Sequence, residues 1–174
     1  NIPDLYTPVD SDFATDGTNI IIGLSRESSY TFQSEYDNSD DGALIYCYDA
    51  EEVNKKWEYQ TPSGVGRFIL KAVDIVNDIV VAAVDGLIDE DKIAIHGIDR
   101  SSGESIWTTT NLLEENNISS IGDVITYNSN CYVATSYGIF VLNGSSGEKI
   151  NQVRNEISPK FSIERENNII YGGG

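Results

Sequence analysis

The feature that most constrains this chain is a pattern that returns three times. Leu44-Ile45-Tyr46-Cys47-Tyr48-Asp49 runs on to Lys55-Lys56-Trp57. Ala94-Ile95-His96-Gly97-Ile98-Asp99 is followed by Arg100-Ser101-Ser102-Gly103-Glu104-Ser105-Ile106-Trp107. Gly138-Ile139-Phe140-Val141-Leu142-Asn143 is followed by Gly144-Ser145-Ser146-Gly147-Glu148-Lys149-Ile150-Asn151. An alternating strand thus ends on Asp49, Asp99 or Asn143, and Trp57, Trp107 or Asn151 comes eight positions later. A second pattern precedes each copy: a polar turn (Asp16-Gly17-Thr18, Asn77-Asp78, Asn128-Ser129), then a strand rich in Ile, Val or Tyr that ends in small residues. A fourth instance of this half-unit, opened by Asn167-Asn168, ends the sequence.

Each unit therefore reads as four short strands joined by hairpins; in the second, these are expected at 68–74, 79–84, 93–98 and 105–110. Asp99 and Asn143 can bond the backbone two residues on, and Gly103 and Gly147 can take positive φ. Ile and Val far outnumber Ala and Leu, Met is absent, and ten Tyr and five Phe add to residues that suit pleated strands. No amphipathic helical stretch is present. A four-stranded unit repeating every ~40–50 residues is the signature of a propeller blade. The expected fold class is all-β, a β-propeller segment of four-stranded antiparallel blades at about 9–61, 65–111 and 118–154, with a half blade at 157–174.

The run from a small residue through Ile, an aromatic and Asp to Ser/Thr-Gly-Lys/Glu and Trp resembles the PQQ-binding-like β-propeller repeat. Its strongest stretches here are 95–107 and 139–150. The resemblance implies a ring of more blades than this sequence supplies, so we expect a piece of a longer protein, with self-association through open blade edges as the alternative. Two departures stand out: Val53 occupies the glycine slot of the first unit, so that turn must differ or be strained, and Asn151 replaces the third Trp. Such repeats occur in quinoprotein dehydrogenases, in the propeller lipoprotein of outer-membrane protein assembly and in surface proteins. The enzymes use a Trp floor for PQQ, a Ca²⁺ with an adjacent catalytic Asp, and often a ring of two vicinal cysteines. The sequence has neither a vicinal Cys pair nor a Cys-x-x-Cys-His site. No catalytic residue transfers by motif.

Two acidic stretches break the period, 26–42 and 85–92. Asp37, Ser39 and Asp41, with Gly42, match four positions of a Ca²⁺ loop, but Tyr48 stands where the bidentate Glu belongs. A solvated acidic loop is the plain reading. His96, the one histidine, fills the slot of Tyr46 and Phe140, and so reads as a ring packed between blades. Trp57 and Trp107 fall at the repeat's Trp position, where the resemblance implies that they dock one blade on the next, and Cys47 and Cys131 read as free, buried small hydrophobes. Asn117 and Asn143 head Asn-x-Ser sequons, weak support for an extracytoplasmic setting.

Eleven Lys and Arg stand against 28 Asp and Glu, a net charge of −17. This excess argues against nucleic acid and anionic membranes as partners, and no apolar run is long enough for a helical span. The acidity is spread along the chain, as expected of a protein from a high-salt, archaeal source, where screened carboxylates preserve solubility. A melting midpoint that rises with molar salt is the expected result; one that rises as salt is removed rejects it. The expected role is a non-enzymatic binding scaffold for a protein or extracellular ligand, on or outside the cell surface. Part of a PQQ- and Ca²⁺-dependent dehydrogenase, or a sensor domain of a signalling protein, are the alternatives.

Overall fold

A computed structural model describes residues 11–25, 43–61, 68–86, 93–110, 112, 120–154, 160–164 and 169–173. The first sheet comprises β1 (Ser11–Thr15), β2 (Asn19–Leu24), β3 (Leu44–Asp49) and β4 (Lys55–Gln60), in that order. The second comprises β5 (Phe68–Val76), β6 (Ile79–Gly86), β7 (Ala94–Asp99) and β8 (Ser105–Thr109). The third comprises β9 (Ile121–Tyr127), β10 (Asn130–Thr135), β11 (Gly138–Asn143) and β12 (Lys149–Arg154). β13 (Lys160–Glu164) and β14 (Ile169–Gly173) form a two-stranded sheet. Every pairing is antiparallel and joins strands adjacent in sequence. The innermost strands lie side by side, β1 against β5, β5 against β9 and β9 against β13.

Strand limits in the second blade differ from the sequence expectation. β5 runs on to Val76 because Asn77 takes φ 53°, the left-handed turn that lets Val76 pair directly with Ile79. β6 runs on to Gly86, which pairs with Phe68, so Asp85 belongs to the sheet and not to the loop after it.

The core is divided into layers between blades. Ile21, Ile45, Cys47 and Trp57 pack on Leu70, Val80, Val84 and Ile98. Ala72, Val81, Ile93 and Ile95 pack on Val124, Cys131, Val133 and Phe140. The second blade is thus covered on both faces. Val80, Val81, Ala82, Ala83 and Val84 are all 0% exposed, which is why this strand reads as a continuous apolar run instead of alternating. Cys47 and Cys131 are free and buried, one in each layer.

Carboxylates tie the inner strands together. Asp12 Oδ2 accepts the Val73 N–H at 2.9 Å. Asp74 Oδ2 accepts the Thr126 N–H at 2.6 Å and its hydroxyl at 3.0 Å. Each bond crosses from one blade to the next and satisfies a backbone donor that the inner edge of a sheet would leave unpaired.

Candidate functional site: blade joints and the loop face

The turns that follow β3, β7 and β11 are built alike. Asp99 Oδ1 accepts the Ser101 N–H at 2.9 Å, the Ser102 N–H at 2.8 Å and the Ser101 hydroxyl at 2.6 Å. Asn143 Oδ1 holds Ser145 and Ser146 in the same way, and Asp49 Oδ1 holds the Glu51 and Glu52 N–H groups at 3.0 Å each. The Ser101 hydroxyl and the Ser102 and Ser101 N–H groups draw the Asp99 carboxyl down to about 2. The Glu52 N–H, the Lys56 ammonium and the Glu51 N–H do the same for Asp49. In each turn the residue four places on donates its N–H to the Asx carbonyl and adopts positive φ: Val53 at 56°, Gly103 at 77° and Gly147 at 71°. The first turn therefore keeps the shape of the others and carries the strain of a β-branched residue in the left-handed region. Val53→Gly relieves about 1–2 kcal/mol of that strain and gives back roughly half through the unfolded state. A higher denaturant midpoint is expected, and a lower one would reject this account.

The tryptophans fasten each blade to the next. Trp57 Nε1 donates to the Arg100 carbonyl at 2.8 Å, and its ring lies on Gly103, where a Cβ would come within 2.8 Å of Cδ2. Trp107 Nε1 donates to the Gly144 carbonyl at 3.2 Å, and its ring fills the space a Cβ on Gly147 would need. Both glycines are thus required twice, for their φ and for the indole above them. Beside the first joint, the Arg100 guanidinium bridges Asp16 at 2.6 Å and Asp78 at 2.7 Å. Burial raises the Asp16 pKa, but hydrogen bonds from the Asn19 amide and the Thr18 and Asn19 N–H groups outweigh it and hold the carboxyl well below its ordinary range.

His96 is 4% exposed and wedged between the first two blades. Its Nδ1 lies 3.2 Å from the Tyr59 hydroxyl and 3.2 Å from the Thr108 hydroxyl. Burial lowers its pKa to about 4, so at neutral pH the ring is uncharged.

The opposite end of the blades is different. There the connections from the second to the third strand are 25–43, 87–93 and 136–137, of unequal length on equivalent frames. Ser25 Oγ accepts the Leu70 N–H at 2.9 Å. In the equivalent region of the second blade, buried Asp85 takes the Ile121 N–H. Burial raises the Asp85 pKa, and Lys71 and the Ile121 N–H work against it. Asp37, Ser39, Asp41 and Asn117 lie outside the described residues. Among the described residues no three His, Cys, Asp or Glu side chains converge. The carboxylates of Asp12, Asp16, Asp49, Asp74 and Asp99 are instead engaged by N–H and hydroxyl donors. The described side chains therefore do not fit a Ca²⁺-supported PQQ site.

Two groupings were not visible from sequence spacing: Tyr59 and Thr108 on His96, and Arg100 between Asp16 and Asp78. Aligning the units does place Tyr59 and Thr109 at one slot, because both stand two residues after a Trp. That slot differs in consequence. Between the second and third blades lies a rim cleft of about 360 Å³, lined by Thr108, Thr109, Leu112, Ser146, Gly147, Glu148 and Lys149.

No protein-family model matches the chain, and no curated protein matches it by sequence. Solved structures do match. BamB from Moraxella catarrhalis is 15% identical over 83% of this chain and 35% of its own, with a TM-score of 0.52. The quinohemoprotein alcohol dehydrogenase ADHIIG from Pseudomonas putida HK5 is 11% identical over 82% of this chain and 26% of its own, with a TM-score of 0.56. The computationally designed protein Ika4 is 10% identical over 93% of this chain and 88% of its own, with a TM-score of 0.57. The chain has the blades and blade packing of these propeller-fold neighbours and spans roughly a third of BamB and a quarter of the dehydrogenase. The described sheets have the β-propeller fold, with four-stranded antiparallel blades packed on one another.

Proposed function

We propose that this propeller segment is a binding scaffold outside the cell that engages a protein or extracellular ligand through its loop face. The observation that carries this is the contrast between the two ends of the blades. The turns after β3, β7 and β11 are near copies, each closed by an Asx side chain, whereas the connections 25–43, 87–93 and 136–137 vary on the same frame. A rigid scaffold with variable connections at one end is the arrangement in which loops carry recognition. The two longer connections are acidic, which favours a cationic partner surface. BamB among the fold neighbours supports an interaction role, and the dehydrogenases support the fold without supplying a donor set here.

The test shortens the first connection to the Ser136-Tyr137 length and measures binding to isolated cell envelopes beside thermal stability. Lost binding at an unchanged melting midpoint is the expected outcome. Full binding by a stable shortened variant would remove the loop face from consideration.

A further inference from the structure

The geometry points to the rim cleft between the second and third blades as a seat for a para-hydroxyphenyl group. The sister joint holds such a group of its own. Between the first two blades, Tyr59 projects from β4 across the joint. Its ring lies 5.9 Å from the His96 ring at a 56° tilt, and its hydroxyl reaches His96 Nδ1 and Ser105. At the next joint the register is the same: Thr109 pairs with Ile95 as Tyr59 pairs with Ile45. Thr109 replaces the tyrosine, Phe140 stands for His96 and Lys149 for Ser105. The Thr109 hydroxyl turns away to donate to the Gly147 carbonyl at 2.8 Å, and Lys149 Nζ lies 5.9 Å over the Phe140 ring.

Among the described residues this slot holds no phenol side chain, and a cleft of about 360 Å³ lies beside it, lined by Thr109 and Lys149 with Phe140 buried behind. Leu112 and the Thr109 methyl offer the apolar walls, and Lys149 offers a donor to a phenolic oxygen where Ser105 meets the one on Tyr59. A ring with a polar tip suits a half-open cleft that offers apolar contact at Leu112 and polar contact at its other walls. The ring can belong to a free phenol or to a tyrosine of another polypeptide.

The test titrates the protein with para-cresol and, in a second arm, with N-acetyl-tyrosinamide, following methyl resonances by NMR. Saturable shifts at Thr109 and Leu112 are expected. Cresol alone binding assigns the seat to a free phenol, and both binding assigns it to a tyrosine side chain. Thr109→Tyr, which copies the sister joint, should abolish the shifts at Leu112 while leaving the melting midpoint unchanged or higher. No saturable shift in the wild type with either probe, or shifts confined to residues away from the cleft, overturns the proposal. Should Thr109→Tyr not fold, the location of the wild-type shifts decides alone.

Discussion

Trp57→Ala should be the most damaging single truncation among the blade-joint side chains. The indole is 8% exposed, packs in the layer between the first two blades, and gives its N–H to the Arg100 carbonyl. Truncating a buried Trp costs about 3–5 kcal/mol through lost transfer energy and the cavity left behind. The loss falls on one joint, and repeat arrays hold together through nearest-neighbour interfaces. The first blade should therefore unfold ahead of the others, and a urea melt should broaden or split. Trp57→Phe keeps most of the ring and loses the hydrogen bond, a deficit of about 1 kcal/mol. Chemical denaturation of both variants, followed by far-UV circular dichroism, checks this. A loss below about 1 kcal/mol for Trp57→Ala would show that the indole does not fasten the joint.

Acid should weaken the same joint through His96. Above its ordinary pKa of 6.5 the imidazole is neutral in both folded and unfolded chains, so it contributes no pH dependence. Below 6.5 the unfolded chain takes up a proton that the folded chain, with a pKa near 4, refuses. Stability therefore falls as pH drops from 6.5 to 4 and then levels off, by about 3 kcal/mol in all. Asp49 and Asp99 also lose stabilisation in acid. Their window is lower, between the ordinary carboxylate value of 3.8 and about 2, so the two effects separate on the pH axis. His96→Phe places the residue of the third blade at this slot and should flatten the segment between pH 6.5 and 4. Parallel pH profiles for variant and wild type would defeat the assignment.

The sequence announced the frame because the blade has few free choices. Asp49, Asp99 and Asn143 must close a turn, and a residue four places on must accept positive φ, so the pattern survives in each unit. At Val53 the strained alternative holds: the turn keeps its shape with a β-branched residue in the left-handed region at an exposed site, where strain costs less than a clash under an indole would. His96 read correctly as an interblade ring because Tyr46 and Phe140 hold its slot. Its partners did not read at all, since Tyr59 reaches it across a joint, 37 residues away in sequence. By composition Asp85 reads as part of an acidic loop, because composition cannot distinguish a solvated carboxylate from one drawn into a sheet by a neighbouring N–H. The rim cleft was equally hidden. It lies where Thr109 faces two substituted neighbours, Phe140 and Lys149, and only the built joint shows the space left among the described residues.

Because each sheet is assembled from strands consecutive in sequence, no described hydrogen-bonded ladder has to wait for a distant part of the polymer. A blade can form as soon as its last strand leaves the ribosome, and it then presents a ready template for the next. Chain order becomes assembly order, with low loop-closure cost at each step. A translation pause after Gln60 or Thr109 would leave whole sheets, not broken ones, with the indole of Trp57 or Trp107 waiting on the outer strand for its glycine.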